Sequence, residues 1–158
     1  MRSKAAIGGH PIHPALVAIP IGAFTFTLVA DLVTWRTGNP GWGDAARYSL
    51  VLGVIGALAA AVFGLVDYFG VTMSEAGFKV ARLHLILNLI AVALFALSLW
   101  LRYRDPDGWC VPGFLVSTLA FLILGSSGWL GGELVFKHKV GVMETDREAT
   151  ELGQKDSR

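Results

Sequence analysis

Charge is scarce in this chain: 16% of its 158 residues are Asp, Glu, Lys or Arg, against about a quarter in an ordinary soluble domain. That is too little polar side chain to wet the surface of a globule of this size. Cysteine is scarcer still. Cys110 stands alone, which rules out an intramolecular disulfide and a cysteine-built metal or iron–sulfur motif. Basic and acidic residues nearly balance at a net charge of +1, with no basic stripe, so nucleic acid is excluded as a partner. What fills the sequence is apolar: 54% hydrophobic residues at a mean hydropathy of +0.58.

These residues fall into four blocks, about 12–35, 45–69, 80–101 and 111–136. Each is near or above the roughly 20 residues that cross a hydrocarbon core as a helix, and lipid leaves the backbone no partner but itself. The connectors 36–44, 70–79 and 102–110 are short, which forces neighbouring spans to run antiparallel. The sequence therefore predicts an all-α integral membrane protein, an antiparallel up-down four-helix transmembrane bundle over 1–139, with a polar, disordered tail over 140–158. No small-residue cleavage site follows the first block, so it reads as a retained span rather than a signal peptide. Arg2, Lys4, Lys79, Arg82, Lys137 and Lys139 flank one membrane face and Arg36, Arg47, Arg102 and Arg104 the other. This excess places both termini in the cytoplasm. Trp35, Trp42, Tyr48, Trp100, Tyr103 and Trp109 form an interfacial belt on the opposite side.

Small residues mark the packing faces: Gly56, Ala60 and Gly64 in the second span, Gly128 and Gly132 in the fourth. The first span carries an inward stripe of His13, Val17, Pro20, Phe24, Thr27 and Asp31, kinked by Pro20. The third carries a matching stripe of His84, Asn88, Ala91, Phe95 and Ser98.

The segment "GGHPIHPALVAIPIG", residues 8–22, sets His10 and His13 each before a proline. Either the helix starts at Pro11 and carries both histidines, or His13 is the cap and His10 lies in an extended lead-in. In either case the topology gathers His10, His13, Asp67, His84, Glu133 and His138 at one end of the bundle. Two histidines on facing helices suit the axial positions of a b-type haem, with His13 and His84 as the ligands. His10, His13, His84 and Asp67 together suit a zinc, iron or copper ion. Plainer roles stand beside these. His13 and His84 could hydrogen-bond to Asp67 or Asn88, and Asp67 and Glu133 could pair with Lys79, Arg82 or Lys137. Asp31 is expected to pair with Arg36 or Arg47, and His10 and His138 to be solvated.

The phrases "GHPIHPALVAIPIG", "FGLVDY", "LHLILNLIAVALFALSLWLR" and "GWLGGELVFKHKVGV" resemble a bacterial four-span membrane family named domain of unknown function 2231, from Gly9 to Val142. The resemblance implies the bacterial inner membrane, histidine positions at His10, His13 and His84, and an acidic position at Asp67. Some members are joined to a Rieske-type iron–sulfur domain, which implies proximity to electron transfer; this chain carries no such domain.

Three functions follow. The first is a haem- or metal-binding redox protein working with a respiratory membrane partner, on one membrane face only, because the far leaflet holds no histidine. The second is a non-catalytic assembly subunit of a larger complex or a homo-oligomer. The third, ranked last, is a transporter or proton-linked channel using Asp67, His84 and Asp31; no inverted repeat or broken-helix pair in the sequence supports it.

Overall fold

The computed structural model of the chain describes residues 3–104 and 109–142. A short lead-in, β1 (Ala6–Ile7) paired antiparallel with β2 (His10–Pro11), precedes five helices: α1 (Ile12–Leu16), α2 (Ala18–Thr37), α3 (Pro40–Gly70), α4 (Glu75–Arg104) and α5 (Val111–Phe136). With α1 and α2 taken as one interrupted span, four helical segments are long and apolar enough to cross a membrane. The expected all-α, four-span architecture is the observed one. The tail expected over 140–158 lies, from residue 143 on, outside the described residues.

Three of the four spans are longer than the hydrophobic blocks, because their ends run into polar residues that a hydropathy reading discards, while α5 keeps the bounds of its block. Gly38, at φ 66°, closes α2 in the left-handed conformation that favours glycine, and its amide reaches the Thr34 carbonyl. One residue later the Asn39 side chain accepts from the Gly41 amide at 2.9 Å, and Pro40 takes the first position of α3. The 31 residues of α3 then extend about 46 Å at 1.5 Å each, beyond the hydrocarbon core.

The break between α1 and α2 falls at Val17, whose amide still reaches the His13 carbonyl at 3.1 Å. Proline has no amide, so Pro20 offers nothing to the carbonyl one turn back, at Leu16, and the helix is interrupted there.

Helix α2 packs along α3 and α4 along α5, giving two helical hairpins; these join through α3 against α4 and α2 against α5. The core between them is the ring of Phe24 stacked on that of Phe95, centroids 3.6 Å apart and 7° from parallel, with Leu50 and Ala120. Gly53 makes this possible: a Cβ there would stand 2.4 Å from the Phe24 ring. Phe69 and Trp129, each 80% exposed, stand with many other large apolar side chains on the outside, where lipid replaces water.

Two expectations are corrected. Gly56 does pack against Ile19 and Pro20, and Gly64 against His13, but a Cβ on Gly128 or Gly132 would meet nothing within 4 Å. The buried small residues of α5 are Gly113, Ser117, Ala120 and Ser127, on another face of that helix. Asp31 pairs with neither Arg36 nor Arg47. Helix α4 runs on to Arg104, so Arg102 is still helical, one turn beyond Ser98, and its guanidinium grips the Asp31 carboxylate through two bonds of 2.6 and 2.7 Å. Ser98 Oγ accepts from its Nε at 3.3 Å and Ser117 Oγ from its Nη2 at 3.4 Å. Arg47 pairs with Asp44, one turn away.

Candidate functional site

The approach to the site is set by the two His–Pro steps. Pro11 is extended, at φ −62° and ψ 131°, and acts as the N-cap of α1. His10 therefore lies in the extended strand β2, exposed, with its Nδ1 3.1 Å from the Gly8 carbonyl. His13 is not the cap but a residue of α1 itself. The two histidines do not share a helical face.

His13 points into the bundle. Its Nδ1 lies 2.8 Å from the Ala60 carbonyl on α3. His84, on α4, does the same with the Ser127 carbonyl on α5, also at 2.8 Å. A carbonyl only accepts, so in both rings Nδ1 carries the proton and donates, which leaves the lone pair on Nε2. The ring centroids are 6.5 Å apart with planes at 89°. Glycines make room for both: a Cβ on Gly64 would lie 2.9 Å from His13 Nδ1, and one on Gly131 3.1 Å from His84 Cε1.

The surroundings of the two rings differ. Asn88, one turn along α4, directs its amide at His84 Nε2 (3.1 Å), the His84 carbonyl (2.8 Å) and Ser127 Oγ (2.7 Å). Ser127 Oγ in turn donates to the His84 carbonyl at 3.1 Å. The expected contact between a histidine and Asn88 is present at His84, whereas His13 Nε2 accepts no hydrogen bond from the described residues.

Asp67 does something else. Its carboxylate accepts from Ser3 Oγ at 2.8 Å, the Lys4 amide at 2.8 Å and the Ala5 amide at 3.0 Å. The Ala5 carbonyl then accepts from the Ile12 amide at 2.9 Å. Asp67 thus ties the lead-in down over the end of α3. Among the described residues no group of three or more His, Cys, Asp and Glu side chains is placed to hold a metal ion. The structure brings His13 and His84 together and leaves His10 and Asp67 engaged elsewhere. Glu133 pairs with Lys137 at 2.8 Å, as expected. His138 is half-buried rather than solvated, its ring beside Gly77 at the start of α4.

Sequence reasoning missed Ser127, Gly131 and Ser3. The first two were legible as small residues on α5, but only the register of α5 against α4 shows that they meet His84. Nothing in the sequence marks Ser3.

The family model described as "Predicted membrane protein (DUF2231)" matches residues 9–144, most of the chain, and the chain belongs to that family. No curated protein and no solved structure matches it.

Proposed function

We propose that this member of the family is a membrane-embedded cofactor-binding protein in which His13 and His84 hold one metal centre through their Nε2 atoms, at one membrane face and in a redox role. The observation that carries the reading is the like anchoring of both rings: each Nδ1 donates at 2.8 Å to a backbone carbonyl of the neighbouring helix. Hydrogen bonding of one ring nitrogen fixes the tautomer and aims the other at a ligand. A metal held between two imidazoles at about 2 Å from each nitrogen leaves their centres about 6 Å apart, and these stand at 6.5 Å.

Two protein ligands are what a b-type haem asks for, its other four being supplied by the porphyrin; a lone zinc, iron or copper ion asks for more. Haem is therefore the first candidate. Binding would oblige Asn88 to release His84 Nε2. The basic residues flanking this face favour the cytoplasmic side of a bacterial inner membrane, with a respiratory partner as the electron donor or acceptor.

The test is a spectrum and a metal analysis of the protein purified in mild detergent. A Soret band with a reduced α band, lost in His84→Ala, supports the haem; one zinc, iron or copper per chain without a Soret band supports the ion. A colourless, metal-free protein overturns both.

A second reading has its own observation. The closed set of hydrogen bonds among His84, Asn88 and Ser127 is what a purely structural latch needs, and it suits an assembly subunit of a larger membrane complex. A metal-free protein that copurifies in fixed ratio with another membrane protein supports this reading.

A further inference from the structure

A regularity in chain spacing links the two hairpins. Three contacts at three depths join the two hairpins through residues the same distance apart in sequence. His13 faces His84, Phe24 stacks on Phe95, and Asp31 is gripped by Arg102, each pair separated by 71 positions. The same offset relates further buried residues of α2 and α4: Pro20 to Ala91 and Thr27 to Ser98.

The second helices of the hairpins repeat with an offset of 67. Buried Ala46, Leu50, Gly53 and Ala60 of α3 correspond to buried Gly113, Ser117, Ala120 and Ser127 of α5. The local chemistry repeats as well. His13 donates to the Ala60 carbonyl and His84 to that of Ser127, at the same distance. Gly64 lies against the first ring and Gly131, 67 positions on, against the second. A Gly–Trp step recurs at the same offset, at 41–42 in the first turn of α3 and at 108–109 in the sequence just before α5.

A residue that meets its own counterpart lies on a two-fold axis. Both hairpins start at the same end of the bundle, so the axis runs along the membrane normal, relating parallel rather than inverted repeats. The contacts between hairpins agree: α3 against α4 and α2 against α5 are the same interface seen twice.

The symmetry fails at one place on the axis in a way that has a physical consequence. Two like residues at 31 and 102 would set two carboxylates or two guanidiniums face to face in a membrane, where an unpaired buried charge is costly. Asp31 against Arg102 removes that cost only when the first hairpin meets the second. A first hairpin meeting the first hairpin of another copy would set Asp31 against Asp31.

We propose that the chain is a fused pair of one helical hairpin, residues 12–70 and 83–136, whose inner faces each fit a second copy of that hairpin, and that Asp31–Arg102 restricts pairing to the unlike copies within one chain. The candidate histidine site then lies on the axis and receives one ring from each copy. Its use as a site rests on the paired-histidine reading; the two-fold and its charge key do not.

The test exchanges the charges in the full-length protein and follows its half-life as a monodisperse species in detergent at elevated temperature. Asp31→Arg and Arg102→Asp each set like charges on the axis and are expected to shorten the half-life at least tenfold. Asp31→Arg with Arg102→Asp recovers most of that loss, because the pair re-forms across the axis, although the exchanged arginine finds Thr27 and Leu50 where Arg102 finds Ser98 and Ser117. An exchange variant no better than the worse single variant overturns the proposal. A second variant, Asp31→Leu with Arg102→Leu, keeps the fold apolar at the axis and removes the discrimination between copies. Chains should then swap hairpins, raising the cross-linked dimer fraction several-fold over the parent protein; an unchanged oligomer distribution would contradict the charge key. Both readouts are independent of any cofactor, so they stand or fall apart from the haem measurement.

Discussion

At the scale of single residues, the arrangement turns on what sits beside two imidazoles. Gly64 and Gly131 are required by closeness, not by backbone conformation. A Cβ would come to 2.9 Å from the first ring and 3.1 Å from the second, and the ring contacts are with rigid aromatic atoms. Gly64→Ala is expected to lower the thermal midpoint by several degrees, as a few kcal/mol of overpacking would, and Gly131→Ala by less. Gly128→Ala, with nothing within 4 Å of its Cβ, should leave the midpoint unchanged or raised, because alanine is the better helix former by about 1 kcal/mol. A midpoint that falls equally in Gly128→Ala would show that ring contact is not what Gly64 and Gly131 serve. The buried ion pair makes a second prediction. Arg102→Gln strands the Asp31 carboxylate in a region of low dielectric and should cost about 3–5 kcal/mol of stability in a denaturant titration; a loss under about 1 kcal/mol would mean that water reaches the site.

At the scale of elements, the hydrophobic blocks located four spans to within a few residues at their apolar ends, since length and hydropathy alone decide which segments lipid accepts. The caps were harder to place. Gly38, Asn39 and Pro40 sit in a stretch that reads as loop, yet leave no room for more than a tight turn between α2 and α3. The partner of Asp31 is hidden for the same reason: hydropathy puts Arg102 in a connector, while α4 continues past it. Asp67, a carboxylate at membrane depth, reads as a candidate ligand or ion-pair partner; in the structure it accepts from two backbone amides and Ser3, groups that no pattern of side chains reveals. The role found predicts that Asp67→Ala frees the lead-in. Amide hydrogen exchange across residues 4–12 should then accelerate at least tenfold while the spans keep their protection. Unchanged exchange there would remove Asp67 from that role.

At the scale of the whole molecule, the bundle is two hairpins closed face to face, and the pairing of His13 with His84 is a product of that closure rather than of any local motif. The histidines were visible in the sequence, and the antiparallel topology sufficed to bring them to one end. Their tautomers, their glycine floors and the separation of their rings depend on how α1 meets α3 and α4 meets α5, which is set by the fit of many small residues and is not written at any one position. The 71-residue repeat was obscured because its identities are few: histidine and phenylalanine recur, while Val17 has become Asn88 and Leu50 has become Ser117. The measurement that tests the central claim most directly is a hemin titration of the purified full-length protein, followed by the absorbance of the reduced complex, in parallel with His13→Ala and His84→Ala. The paired-histidine account predicts saturation at one hemin per chain with a sharp six-coordinate spectrum, and loss of that spectrum in both variants. Saturation that is absent, or that survives unchanged in either variant, would contradict it.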